Sequence, residues 1–174
     1  MMDFTQINLI PATLNDCPVI QNLARFYAYD ISEYYGDQPG WEMEDDGLYG
    51  AGIDYKRYFE TKDSFPFIIR YKDKLAGFAI IDKKGSDTTI DFNMAQFFIL
   101  RTYKGRGMGR YVARWCFDKF PGIWEVMVMP GNEGAYRFWR KVIKEYCGSN
   151  FTECTRYVAQ FNNEPRNFFQ FSSL

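Results

Sequence analysis

Residues 97–109 read F-F-I-L-R-T-Y-K-G-R-G-M-G, and residues 110–117 continue R-Y-V-A-R-W-C-F. An apolar run, a turn carrying Gly105, Gly107 and Gly109, and an amphipathic pattern predict a strand, a loop and a helix in direct succession. Glycines let such a loop curl without a Cβ in the way. Its backbone N–H groups, together with the positive end of the helix dipole, then suit an anion. Lys104, Arg106 and Arg110 add positive charge in the same stretch. The segment reads as a pyrophosphate cradle, or alternatively as a flexible connection. The glycines alternate, so the dinucleotide fingerprint G-x-G-x-x-G is absent, and no Gly-Lys-Ser/Thr follows to make a P-loop.

Working outward, 174 residues suffice for one domain, residues 1–174, with a real core. Hydrophobic residues at 47% and charged residues at 25% are those of a globular chain. Aromatic residues reach 20%, and most are expected to fill a core of large side chains. A net charge of −1 gives no global field to recruit nucleic acid or a membrane. The opening Met-Met-Asp-Phe-Thr-Gln lacks the basic-then-apolar layout of a secretion signal, so a cytoplasmic setting is expected. There is no histidine. That removes the usual zinc sites and every Ser-His or Cys-His pair, and no metal is expected. Proton transfer must fall to Asp, Glu, Tyr, Lys, Cys or water.

Along the chain, Gln6–Ala12 reads as a strand. A helix capped at Asn15 or Asp16 follows, with Pro18 in its first turn and apolar positions Val19, Ile20, Leu23, Tyr27 and Ile31. Residues 36–52, rich in glycine and acid, form a long loop, and 53–60 a short helix. Phe65–Tyr71 and Leu75–Asp82 form a hairpin. Thr88–Leu100 is long enough to bend or bulge. Ile123–Met129 is a strand stopped by Pro130-Gly131. Asn132 caps a helix whose Ala135, Phe138, Trp139, Val142 and Tyr146 share a face. Segments 155–161 and 167–171 close the chain as strands around Pro165. The fold class is α+β, a mixed α/β arrangement.

The long strand, basic glycine loop, helix, strand, Pro-Gly break and N-x-x-A-x-x-F-W helix together resemble the GNAT superfamily of N-acetyltransferases, most strongly over Thr89–Val142. The strings F-F-I-L-R-T-Y and F-W-R-K-V-I-K-E-Y are similar to a bacterial subgroup of predicted acetyltransferases, which names no acceptor. The resemblance implies a mixed, mostly antiparallel sheet of about 6–7 strands with about 4 helices. It implies acetyl-CoA as acyl donor, its pyrophosphate held by Lys104, Gly105, Arg106, Gly107, Met108, Gly109 and Arg110. Lys104 departs from the usual Gln or Arg at the head of that loop. The backbone of Phe98, Ile99 and Leu100 would pair with the pantetheine arm, and Asn132 would contact it, alongside its role as helix cap.

The family's catalytic residues map less well. The strand glutamate that accepts the amine proton through water falls on Asn93, which cannot ionise. Asp91, two residues earlier, shares its face in a regular strand, or is simply a solvated carboxylate. The tyrosine that reprotonates the thiolate falls on Trp139, with Tyr136 as the nearest substitute. Acceptor sites in the family draw on the first two helices and the loop between them. Here these supply Tyr29, Asp30 and Glu33, with Tyr34, Tyr35, Trp41 and the acidic run 42–46 beyond. Carboxylates and rings suit a cationic amine, although solvated charge and packing tyrosines account for them more simply. The implied activity is direct acetyl transfer to a primary amine of a small molecule or protein. A non-catalytic acyl-CoA-binding module is the alternative, and a nucleic-acid binder using Arg101, Lys104, Arg106, Arg110 and Arg114 is a third. Expected partners are acetyl-CoA and the amine, with no nucleic acid and no membrane, and a homodimer left open.

Overall fold

The computed structural model describes residues 2–36, 39–49, 54–158 and 163–174. In chain order it holds β1 (Ile7–Pro11), α1 (Cys17–Tyr35), β2 (Ser64–Tyr71), β3 (Lys74–Asp82), β4 (Phe92–Ile99), α2 (Met108–Lys119), β5 (Ile123–Val128), α3 (Glu133–Cys147), β6 (Phe151–Val158) and β7 (Glu164–Ser172). The seven strands form one sheet in the order β1-β2-β3-β4-β5-β7-β6. Every neighbouring pair is antiparallel except β4 with β5.

Local chemistry sets the element ends. Before α1, the Thr13 backbone N–H and hydroxyl both donate to the Asp16 carboxylate at 2.8 Å, and Pro18 fits the first helical turn. The β2–β3 hairpin turns through Lys72 and Asp73, both left-handed at φ 48° and 62°, which matches the twist of the flanking strands. The Asn132 side chain accepts from the Ala135 N–H at 2.9 Å and starts α3.

Alternation along the strands sorts side chains onto two cores. On one face, α2 and α3 cover Ile69, Ile81, Met94, Trp124, Val126 and Phe169. On the other, α1 and a short 3-10 turn at Lys56–Tyr58 cover Ile68, Phe78, Ile80 and Phe98. Aromatic residues do most of this filling, as composition suggested. Phe117 meets Trp124, Tyr146 and Phe171 at 4.8–5.2 Å between ring centres, and Phe78 meets Tyr27, Tyr55 and Phe98 at 5.7–6.2 Å. Burying one such ring contributes about 2–3 kcal/mol.

Some boundaries differ from the sequence reading. Three α-helices stand among the described residues where about four were expected, because the segment read as a helix at 53–60 is only that 3-10 turn. Ile53 itself lies outside the described residues, as do parts of the long loop and residues 159–161 of the expected strand. β6 starts at Phe151, so that strand sits earlier than hydropathy placed it. β7 runs through Pro165 instead of starting after it. β4 begins only at Phe92 and contains the bulge its length suggested: Ile80 faces Gln96 while Ile81 faces Met94, which leaves Ala95 extra.

Candidate active site

The parallel pair β4–β5 is joined only at its beginning, where Phe92 faces Trp124 and Asn93 faces Glu125. Past Asn93 the ladder stops, one residue before the bulge region, and the two strands part. Bulges bend a strand and sharpen its twist, which accounts for β4 leaving β5 here. The Leu100 N–H donates to the Ala76 carbonyl at 2.8 Å on the β3 side. Backbone groups alternate sides in such a ladder, so Phe98 also bonds toward β3, while Phe97 and Ile99 turn theirs to the open side. This corrects the expectation for the pantetheine arm. Of Phe98, Ile99 and Leu100, only Ile99 offers its backbone to the split, and Phe97 joins it.

At the upper end of β4 the chain enters the glycine loop. Gly105 and Gly107 adopt φ 74° and 88°, a region that side chains rarely tolerate. The first backbone bond closing α2 runs from Tyr111 N–H to the Gly107 carbonyl. Among the described residues, none of the six successive N–H groups from Gly105 to Arg110 makes a close, well-aligned backbone hydrogen bond, and only weaker turn contacts close residues 104–107. An ordinary helix start leaves four such groups unpaired; here two more from the loop join them, all beside the positive end of the α2 dipole. Arg106 and Arg110 are exposed beside this loop, with Arg110 3.4 Å from Glu145.

On the far side of the split, Asn132 uses its Oδ1 as the helix cap, and no described residue takes a hydrogen bond from its Nδ2. Phe138 and Trp139 lie against Phe97 of β4, at 5.9 and 5.0 Å between ring centres. Tyr136, expected as a proton donor, lies elsewhere. Its ring packs on Phe169 of β7 and its hydroxyl donates to Glu153 of β6, so it faces the outer strands and not the split. Asp91 is displaced too. It precedes β4, its Oδ2 accepts from the Ile123 N–H at 2.8 Å, and it lines a surface hollow of about 470 Å³ with Lys83, Gly122 and Leu174. That hollow lies at the end of β4 remote from the glycine loop. Asp91 pins the start of β5.

Helix α1 supplies the other wall. Asp30, expected on the acceptor side, is engaged with the residues leading into the glycine loop. Its two oxygens lie 2.7 Å from Arg101 Nη2 and 2.6 Å from Lys104 Nζ. Burial acts to raise the Asp30 pKa, but hydrogen bonds from Lys104 and Arg101 and their charges outweigh it and hold the carboxyl below its ordinary range. Tyr29 is exposed and sits edge-on to Tyr49, and Glu33 is exposed. Five residues later the Tyr35 hydroxyl donates to the Pro130 carbonyl, just before α3.

Beneath α1 the structure assembles a polar group that the sequence reading missed. Gln96 donates to the Tyr58 hydroxyl at 3.0 Å and accepts from Tyr55 at 3.3 Å, while Arg57 donates to Tyr58 at 3.2 Å. Asn93 donates to Asp82 at 3.1 Å. Burial holds the Tyr27 hydroxyl, in the same core, up to about 12. Asp82 is the last residue of the strand read over Leu75–Asp82, and nothing local in the sequence marks it out. Only its pairing across to Asn93 reveals it.

The sequence model of the acetyltransferase (GNAT) family matches residues 23–143. No curated protein matches the sequence. Among solved structures, an acetyltransferase from Thermus thermophilus superposes with a TM-score of 0.61 at 14% identity, over 96% of this chain and 97% of that one. A spermidine N-acetyltransferase chimera from Vibrio cholerae and hSSAT gives 0.61 at 13%, over 97% and 96%. RimL, a ribosomal alpha-N-protein acetyltransferase in complex with coenzyme A, gives 0.58 at 10%, over 97% and 94%. With that family match spanning the split, the glycine loop and most of α3, the chain belongs to the acetyltransferase (GNAT) family and is an N-acetyltransferase.

Proposed function

We propose that residues 1–174 act as one domain that binds acetyl-CoA in the β4–β5 split and transfers its acetyl group directly to a primary amine of a small molecule or protein. The observation that carries this reading is the run of six N–H groups from Gly105 to Arg110 without a close acceptor among the described residues, at the mouth of the split. The loop and the start of α2 receive the pyrophosphate, with Arg106 and Arg110 adding charge. Phe97 and Ile99 offer backbone groups to the pantetheine arm, and Asn132 offers its amide. The coenzyme supplies an acetyl thioester. Phe138 and Trp139 wall the split beside Phe97. The Trp139 indole has no proton to give at neutral pH, so the departing sulfur is protonated by solvent, which a leaving group with pKa near 8.5 permits.

Isothermal calorimetry should give one acetyl-CoA per chain with a micromolar dissociation constant, roughly −8 kcal/mol. Thiol release should follow when amines such as spermidine or a peptide with a free N-terminus are added. The absence of both binding heat and a thermal shift at millimolar coenzyme would overturn the reading. Asn93 and Trp139 replace the ionisable residues of the family pattern, so direct transfer here relies on positioning and on a proton acceptor elsewhere. Stoichiometric coenzyme binding without thiol release for any amine would count against it.

A further inference from the structure

Asp82, Asn93 and Glu125 form one row across the three central strands, since Asp82 is the cross-strand partner of Asn93 and Asn93 that of Glu125. Both carboxylates are buried, 4% and 2% exposed. A carboxylate out of water is costly unless its oxygens are occupied. Those of Glu125 are. Ser86 donates from its N–H at 2.9 Å and its hydroxyl at 2.5 Å, Gln170 donates at 2.8 Å, and Arg156 stands 3.7 Å away. Glu125 therefore anchors the segment between β3 and β4. Asp82 is different. Asn93 Nδ2 and the Lys84 N–H both donate to its Oδ1, each at 3.1 Å. No hydrogen bond or ion pair from a described residue reaches Oδ2. Asn93 and Gln96 both face α1, and the β4–β5 ladder ends at Asn93, so Asn93 and Glu125 sit at the base of the split with Asp82 one strand behind Asn93.

We propose that Asp82 is the proton acceptor for acetyl transfer, held in place by Asn93, so that the carboxylate sits one strand away from the family position that Asn93 fills. This rests on the N-acetyltransferase reading. The amine nitrogen attacks the thioester carbonyl carbon and forms the N–C bond, and the C–S bond breaks with its electron pair on sulfur. The amine proton passes through one water to Asp82 Oδ2. The thiolate takes a proton from solvent and Asp82 returns its own to solvent, so charge and atoms balance. Burial raises the proton affinity of Asp82. It outweighs the Asn93 and Lys84 hydrogen bonds and the charges of Lys84 and Arg57 that act the other way. The groups facing it are Arg57 from the 3-10 turn, Lys84 from its own strand's exit, uncharged Asn93 from β4 and, beyond Asn93, Glu125 from β5. A base whose pKa moves toward neutrality takes a proton more effectively.

The test uses full-length Asp82→Asn, Asn93→Glu and the double variant with acetyl-CoA, and spermidine or a free-N-terminus peptide as amine. Asp82→Asn should lower kcat on the order of 10²-fold or more and remove the acid limb of the pH profile, with coenzyme affinity held within about twofold. Its melting temperature should hold or rise, because a buried charge is removed. Adding Asn93→Glu should restore at least about tenfold, since a carboxylate returns to the row. Unchanged kcat and pH profile in folded Asp82→Asn would overturn the proposal. A readout that needs no acceptor is the 13C titration of the Asp82 carboxyl in the wild type. A midpoint above the usual value of about 4 supports the proposal, and one at or below it overturns it. Failure of the acetyltransferase reading shows separately, as a wild type that neither binds coenzyme nor releases thiol.

Discussion

Gly107 and Gly109 look interchangeable in the sequence, yet the chain uses them differently. Gly107 has φ 88°, and a Cβ there would also come within 3.0 Å of the Phe4 ring. Gly109 has ordinary helical geometry, and a Cβ would press on the Phe138 ring at 3.2 Å. Gly107→Val should cut acetyl-CoA affinity at least tenfold in calorimetry, because it distorts the loop that presents the N–H groups. Gly109→Val should lower both affinity and melting temperature, since it wedges α2 away from α3. Asp30 gives a pH signature. Its folded pKa is lowered, so its contribution to stability is complete above the unfolded value near 3.9 and is lost as pH falls through the folded value. Asp30→Asn should therefore melt lower than wild type at pH 7, and the gap should close as the pH is taken below about 4.

At the scale of elements, the strand–loop–helix unit was legible because its signals are local: apolar alternation, three glycines and a periodic helix. The start of α3 was legible for the same reason, through Asn132 and the Pro-Gly break. What the sequence hid depends on which strands lie under a helix. Tyr136 sits on the α3 face pattern as plausibly as Trp139, but β6 and β7 run beneath it, and its hydroxyl goes to Glu153. Tyr136→Phe should leave kcat within about twofold of wild type, a test that separates it from any acid role. Asp91 was placed by counting back along a regular strand, and the late start of β4 voids that count. Asp82 was invisible for a related reason, since its partner lies eleven residues away and only hairpin-like register brings them level.

Across the whole molecule, α1 spans the split. Asp30 ties it to the head of the glycine loop on the β4 side, and Tyr35 ties it to Pro130 on the β5 side. Helix α1 and the glycine loop are thus mechanically joined, although the sequence reading gave them separate tasks. Tyr35→Phe removes one hydrogen bond, worth about 1 kcal/mol, and should speed amide hydrogen exchange at the C-terminal end of α1 with little change at its start.

Ala95 has a consequence of another kind. It and Gln96 both face α1, so cutting Ala95 out of the chain leaves every other β4 side chain on the face it already occupies. The shortened protein has no packing reason to unfold. It loses the one residue of slack that throws β4 off course, and the freed backbone of Phe97 and Ile99 can run on beside β5 like a zip pulled shut. The deletion variant should melt at or above the wild type and bind no acetyl-CoA. The seam of this sheet is held open by a single surplus amino acid.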